Sequence, residues 1–254
     1  MKDGTAWPQN SCTLAWISVR MMSWLFTSDE YELTGELHWT KLAAQVDICS
    51  NLSNEALTFM VPTHRRMPCD FARIKAKQIE VHPKLYHQRM EDFNVPHRYG
   101  TIYIANGTFM AISDRQKALS TLERFRNHLI SGGQLLIELS IPDEAKGVAV
   151  NAQYWGPTKC ASGEGEISTK LWTESFDLWE QTMLEKRRYE LKVDGQLVRS
   201  ELHTLHMRWY YKYEFTMMLE KAGFKDIHLY SDYTEEPASK ESKTIVYGAR
   251  NLSI

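Results

Sequence analysis

The sequence predicts an α/β protein with a parallel sheet and an antiparallel β insertion in its second half. Three observations lead to this fold class. A strand-like segment, a helix-like segment and a glycine pair followed by a second strand succeed one another over residues 99–137. An Asp-Gly pair near residue 194 separates two long alternating segments, and the chain closes with a helix-like segment and two strand-like ones. With 254 residues, the chain suits one such domain with an insertion, or at most two small domains.

The composition is that of an ordinary globular protein, because hydrophobic residues make up 43% and charged residues 24% of the chain. A net charge of −2 gives no electrostatic reason to expect nucleic acid or a membrane surface as a partner. The apolar stretch 13–26 contains Arg20, is too short to span a bilayer and lacks the features of a signal peptide. A cytoplasmic location is therefore expected, and the sequence leaves the oligomeric state open.

No metal site is predicted. His203 and His206 lie three apart on a predicted strand, and residues with that spacing point to opposite faces. The four cysteines form no C-x-x-C pair and are expected to be reduced thiols: Cys12, Cys49, Cys69 and Cys160.

The first strand and helix carry clear boundary signals. Residues 99–110 are rich in β-branched and aromatic side chains and predict a strand that breaks at Asn106 and Gly107. Residues 112–130 then predict a helix, with Ser113 as the N-cap and Gln116 completing a capping box.

A glycine pair follows this helix. Gly132 or Gly133 is expected to supply the left-handed residue that ends it. The apolar run 135–137 then predicts a buried strand. Because the connections are short, the two strands are expected to be parallel and joined by a right-handed crossover.

Parallel sheets of this kind bind ligands at the carboxyl ends of their strands. A short strand within residues 82–90 and the strand after it would place residues 89–92 and 105–107 at that edge. The alternative is that both segments are simply connecting loops.

Residues 143–212 have a different pattern. Asp194 and Gly195 separate two segments that alternate in polarity, which predicts a hairpin. The alternation is typical of an antiparallel sheet with one solvent-exposed face. The run 186–188, Lys-Arg-Arg, is interpreted as solvated. Residues 212–224 then predict a helix ending at Gly223, and the final strands are expected at 225–233 and 243–251.

Three segments, at 85–114, 118–143 and 209–233, together resemble the class I S-adenosylmethionine-dependent methyltransferases. The sequence S-G-G after the predicted helix is similar to that family's L-K-P-G-G turn, and L-E-K-A-G-F near residue 220 to its L-x-x-A-G-F. The resemblance covers about residues 72–254. It implies a Rossmann-like methyltransferase sheet, S-adenosylmethionine as cofactor and a small-molecule methyl acceptor.

The resemblance also implies site residues. Arg89 and Met90 match the dipeptide beside which the adenine lies, and Asn106 matches a position facing the methyl donor or acceptor. Asp92 and Tyr210 are the candidate catalytic residues. The alternative is a non-catalytic methyltransferase-like protein that binds a partner through its antiparallel insertion; an RNA methyltransferase is disfavoured because no basic stripe is evident.

One part of the family pattern is absent. The family has a glycine-rich first loop, G-x-G-x-G or C-G-T-G-R, where a Cβ would clash with the cofactor, and an acid on its second strand. Before Gly100 this chain has only Gly4 and Gly35, so no G-x-G can be formed and the N-terminal half of the sheet is expected to be incomplete.

The genetic code offers an explanation. Residues 38–49 can be back-translated into codons and read in a shifted frame, in which the third base of each codon joins the first two bases of the next. The degenerate codons then allow the sequence L-D-E-A-C-G-T-G-R-H-M, in which the aspartate is the only residue possible at its position. Residues 59–71 admit H-G-T-D-P-S-P-D-A-L-R-L, with the first glycine and the alanine forced. We therefore interpret residues 1–71 as an atypical segment, out of frame over at least residues 38–71, and residues 72–254 as the methyltransferase-like domain with its insertion at about 143–212.

Overall fold

The computed structural model describes residues 46–49, 56–59, 84–86, 88–104, 107–148, 150–159 and 165–252. Asn106 and three of the cysteines, Cys12, Cys69 and Cys160, lie outside these ranges, as does the apolar stretch 13–26. The elements in chain order are β1 (Val46–Cys49), β2 (Ala56–Phe59), β3 (Lys84–Leu85), β4 (Tyr99–Ile104), α1 (Arg115–Asn127), β5 (Leu129–Leu139), β6 (Gln153–Lys159), β7 (Glu166–Asp177), β8 (Thr182–Val193), β9 (Gln196–Arg208), α2 (Lys212–Lys221), β10 (Lys225–Ser231) and β11 (Ile245–Arg250).

In the described part of the chain, seven strands form the main sheet, in the order β3-β2-β1-β4-β5-β11-β10. Strands β4 and β5 are parallel, as the sequence predicted from the helix and glycine pair between them. Strand β11 is antiparallel to both β5 and β10. On the other side, β1 is antiparallel to β4 and to β2, and β2 is parallel to β3. The described strands of the N-terminal half are short, with four, four and two residues.

The start of α1 differs by one residue from the prediction. The N-cap is Asp114, whose carboxylate accepts from the Lys117 backbone N–H at 2.8 Å, so Ser113 and Gln116 do not form the capping box. Asp is at least as good an N-cap as Ser, and the two residues are adjacent, so pattern alone did not separate them.

The end of α1 also differs from the prediction. The helix ends at His128, whose carbonyl accepts from the Tyr99 N–H at 2.8 Å, and β5 begins at the next residue. Gly132 has a left-handed φ of 76° but lies within β5, where its N–H donates to the Asn251 carbonyl. Its conformation therefore serves an irregularity of the strand and not the end of the helix.

The core lies between the main sheet and the two helices. Leu122 and Phe125 of α1, and Phe215 and Leu219 of α2, are fully buried. The apolar run in β5 is buried as well, which explains its continuous hydrophobicity. No helix in the described ranges is long and apolar enough to cross a membrane.

The insertion is a separate antiparallel sheet in the order β6-β7-β8-β9. The predicted hairpin is confirmed: Asp194 and Gly195 have φ of 49° and 77° and join β8 to β9. Two positive φ angles define the turn that matches strand twist, and Asp-Gly is among the pairs that adopt it most readily.

One buried arginine links the insertion to the main sheet. Arg208 ends β9, and its Nε donates to the Ser113 carbonyl at 2.6 Å. A second guanidinium nitrogen donates to the Glu180 carbonyl in the turn between β7 and β8. The base of the insertion is thereby held against the segment that leads into α1.

Candidate functional site

A cavity of about 990 Å³ lies between the main sheet and the insertion. Met110 and Ser140, which follow β4 and β5, form its floor. The cavity therefore lies at the carboxyl edge of the parallel strands, where open α/β sheets bind ligands. Alternate residues of β7 and β8 form the opposite wall: Ile167, Thr169, Leu171, Thr173, Met183, Glu185, Arg187 and Tyr189.

The insertion wall of the cavity carries a row of polar groups along β8. Arg187 Nε donates to Glu185 Oε1 at 2.5 Å, and Arg187 also forms a hydrogen bond with the Tyr189 hydroxyl. Burial raises the pKa of Tyr189, so this phenol stays neutral at physiological pH. The side chains of Glu185 and Arg187 are only 9% and 17% exposed. The wall therefore offers hydrogen-bonding groups that are already fixed in position.

A different hydrogen bond joins the insertion wall of the cavity to the side formed by the main sheet. Thr173 Oγ1, on β7, donates to Glu144 Oε1 at 2.6 Å. Glu144 lies in the short helical turn Asp143–Lys146 that follows β5. Apolar side chains also line the cavity, among them Met183, Leu171 and Trp155. The lining is mixed in the way that is typical of sites for small organic molecules.

Arg187 is a residue whose role the sequence interpretation missed. It was grouped with Lys186 and Arg188 as part of a solvated run, yet it lies on the inner face of β8 with Glu185 and Tyr189. The signal that could have found it is strand alternation, because residues two apart share a face.

The sequence-predicted site residues are not brought together around this cavity. Arg89 and Asp92 are exposed and belong to a turn, in which the Asp92 N–H donates to the Arg89 carbonyl at 3.2 Å. Met90 is 1% exposed and is part of the main core. None of these three, nor Tyr210, is among the residues that line the cavity. The fifth candidate, Asn106, lies outside the described residues.

Tyr210 is buried beside the turn that follows β4. Its ring lies 5.9 Å from Phe109 and 5.3 Å from Phe215, centroid to centroid. Its hydroxyl has no hydrogen-bond partner among the described residues. Burial raises the pKa of Tyr210 well above the usual range of a phenol, so at neutral pH this hydroxyl can donate a hydrogen bond but cannot act as a ready base.

The strand order and the cavity at the carboxyl edge define a Rossmann-like α/β protein with a second β-sheet covering that edge. Similar solved structures include an S-adenosylmethionine-dependent methyltransferase from Clostridium acetobutylicum, 13% identical, covering 76% of this chain and 74% of that chain with a TM-score of 0.64. The CcbJ methyltransferase from Streptomyces caelestis is 14% identical, with 78% and 74% covered and a TM-score of 0.60. The sugar N-methyltransferase KedS8 from Streptoalloteichus is 12% identical, with 76% and 70% covered and a TM-score of 0.57.

These likenesses confirm the predicted fold class, which is a Rossmann-like methyltransferase sheet with an antiparallel insertion. No protein-family model and no curated protein matches the chain.

S-adenosylmethionine is the cofactor expected with this fold, and the described residues do not fit it. In doubly wound sheets the loop after the first strand holds the nucleotide at the carboxyl edge. Here β1 is antiparallel to β4, so the carboxyl end of β1 lies at the opposite edge of the sheet. The residues after β1, S-N-L-S-N-E at 50–55, contain no glycine that would let a backbone approach a ligand closely.

Proposed function

We propose that this protein is an S-adenosylmethionine-dependent methyltransferase whose acceptor is a small molecule held in the cavity under the insertion. The observation that carries the proposal is the position of that cavity at the carboxyl ends of β4 and β5. Its volume of about 990 Å³ lies at the upper end of the range for small-molecule sites.

The cavity lining narrows the class of acceptor. The Glu185–Arg187 pair and the Thr173 hydroxyl offer hydrogen bonds, whereas Trp155 and Leu171 offer apolar surface. A sugar-like molecule, with hydroxyl groups at its rim and apolar ring faces, is complementary to such a lining. Two similar solved structures point the same way: a sugar N-methyltransferase and CalS10, an amino pentose methyltransferase that matches with a TM-score of 0.53. We therefore propose an amino sugar as the acceptor.

Five residues are proposed to act at the cofactor side of this site. Arg89 and Met90 would lie beside the adenine, and Asn106 would face the reacting groups. Tyr210 is a further catalytic candidate outside the cavity lining, and its raised pKa favours hydrogen-bond donation over a role as base. Asp92 is exposed and remains the candidate general base.

The chain as written is proposed to bind S-adenosylmethionine weakly and to transfer methyl groups poorly. The reversed β1 removes the expected cofactor loop from the ligand edge, whereas the acceptor cavity is built from β5 and the insertion. Acceptor binding and cofactor binding are therefore separable properties of this chain.

Narrowing the cavity is expected to weaken acceptor binding. Thr169→Trp places an indole on the cavity wall, and we expect at least a tenfold loss of affinity, or about 1.4 kcal/mol, for those free amino sugars that bind. The measurement is ligand-observed NMR with a panel of amino sugars. Thr204→Trp is the matched control, because Thr204 lies exposed on the other face of the same sheet and its replacement should leave binding unchanged. Equal binding by both variants, or no binding of any amino sugar by the unaltered chain, would contradict the proposal.

The second candidate function is partner binding without catalysis, and the free edge of β9 favours it. Among the described strands, β9 pairs with β8 alone, and it exposes three large apolar side chains, Leu197, Val198 and Leu202, each more than half exposed. A second copy of the chain is the proposed partner. Antiparallel pairing of two β9 strands about Ser200 would set Val198 opposite Leu202 and Arg199 opposite Glu201, so that apolar and oppositely charged residues match.

This alternative predicts a dimer by sedimentation velocity at micromolar concentration. Leu202→Lys would place an ammonium opposite Val198 and is expected to shift the protein to a monomer. Leu178→Lys is the control, because Leu178 is 58% exposed but lies in the turn between β7 and β8, away from the edge. A monomeric unaltered chain would rule out the β9 interface.

A further inference from the structure

The N-terminal half of the main sheet breaks the doubly wound pattern at one strand. Strands β2 and β3 run in the same direction as β4 and β5, because β2 and β4 are both antiparallel to β1 and β3 is parallel to β2. Strand β1 alone is reversed among these five. It occupies the position beside β4 where the first strand of a 3-2-1-4-5 order is expected to run parallel.

The connection from β1 to β2 explains the reversal. Six residues, 50–55, separate Cys49 from Ala56. Six residues suffice for a hairpin between antiparallel strands, whereas a parallel pair needs a crossover of a dozen or more. Both strands and their connection fall within residues 38–71, the segment with the alternative codon reading.

The junctions between the two admitted strings continue the same pattern. Residues 49–59 admit L-E-L-I-E-R-G-F-D-V in the alternative reading, and at Asn54 an open frame leaves arginine as the only choice. The whole reading then runs from L-D-E-A through the turn C-G-T-G-R and the helix-like stretch L-I-E-R-G to the strand-like F-D-V-H-G-T-D. That order is strand, glycine turn, helix, glycine, strand and acid, which is one complete βαβ unit.

We infer that residues 38–71 are read in a displaced frame, and that the alternative reading restores the cofactor-binding edge which the reversed β1 removes. Fourteen residues, from the cysteine of C-G-T-G-R to the glycine before F-D-V, separate the two strands in that reading, which is enough for a crossover helix. A parallel first strand would bring the glycine turn to the carboxyl edge of the sheet, on the same side as Met110 and Ser140 of the cavity. This inference rests on the proposed methyltransferase function.

The nucleotide sequence of the gene and its transcript across codons 30–80 is the direct test. The protein sequence does not determine the third bases of these codons. If the inference is right, those bases encode the glycines of the turn in the alternative frame and produce no stop codon there. Third bases that place a stop codon in the alternative frame, or that encode neither glycine of the turn, overturn the inference.

A binding experiment tests the functional half. The full chain as written and a revised chain carrying the alternative reading over 38–71 are titrated with S-adenosylhomocysteine by calorimetry, and folding of both is checked by near-UV circular dichroism. We expect at least a hundredfold gain in affinity for the revised chain, to a Kd on the order of 10 μM. A control of the revised chain with valine at both glycines of the G-T-G turn should lose that gain, since a Cβ would occupy the cofactor's space.

The outcomes separate this inference from the proposed function. Micromolar binding by the chain as written overturns the inference and leaves the methyltransferase proposal standing. If the revised chain folds but binds S-adenosylhomocysteine no better than an original chain that shows no binding, both the inference and the proposed function are overturned. A gain that survives the double valine change also overturns the inference, because the glycine turn would then not be the cofactor site.

Discussion

Replacing Trp209 by alanine is expected to lower the free energy of unfolding by about 3–5 kcal/mol, the usual cost of deleting a large aromatic side chain from a core. Trp209 is fully buried, and its ring stacks on Phe176 of the insertion with centroids 4.4 Å apart and an interplanar angle of 5°. It follows Arg208 directly and so lies where the insertion rejoins the main sheet. The cavity left by the substitution would therefore disrupt packing in the main core and against the insertion.

Trp179→Ala is the matched control, because the same side chain is 91% exposed at the tip of the turn between β7 and β8. Its replacement should change stability by no more than about 0.5 kcal/mol. Urea unfolding followed by circular dichroism measures both variants. Similar small losses for the two would show that the stack on Phe176 does not hold the insertion to the core.

The elements predicted best from the sequence are those in which local pattern and tertiary packing agree. The apolar run in β5 predicted a buried strand, and its side chains are buried because they pack into two hydrophobic clusters, Leu135 and Ile137 into one and Leu136 into the other. Asp194 and Gly195 predicted a hairpin, because the residues themselves determine the turn. The carboxyl edge of the sheet followed from the order of the elements alone.

The candidate site was predicted less well, because its wall comes from residues distant in sequence. Glu144 and Thr173 meet across the cavity, and no local pattern links positions 29 residues apart. Arg187 was hidden within a basic run in which Arg188 is exposed and Lys186 pairs with Glu174. Met90 was chosen through the family resemblance, yet its side chain packs in the core, where any large apolar residue would serve.

The N-terminal segment marks the limit of pattern reasoning. Within residues 41–60, which the sequence pattern assigned to no element, the described parts are the two strands β1 and β2. Short strands form wherever an unpaired sheet edge offers hydrogen-bonding groups. The edge of β4 provides such a template, so the presence of β1 there is weak evidence that its sequence was selected for that position.

Asn251→Asp is expected to destabilise the fold by about 3–5 kcal/mol at neutral pH, the cost of a buried charge without a partner. The Asn251 side chain is 4% exposed, and its amide nitrogen donates to three backbone carbonyls at the junction of α1 and β5, those of Arg126, Leu129 and Ile130. A carboxylate cannot donate, and its charge would face three carbonyl oxygens. The pKa of the introduced carboxyl would therefore be raised in the folded state.

A raised pKa fixes the sign of the pH dependence. The protonated carboxyl can still donate one hydrogen bond, so the variant keeps most of its stability below the unfolded pKa of about 4 and loses it as the pH rises through the higher folded value. Urea unfolding between pH 4 and pH 8 should show the deficit growing with pH. Asn251→Ala is the control, because it removes the same hydrogen bonds without adding a charge, so its deficit should be independent of pH. A deficit in Asn251→Asp that is equally flat would mean that the carboxylate finds solvent, and that the junction of α1, β5 and β11 opens more readily than its hydrogen bonds indicate.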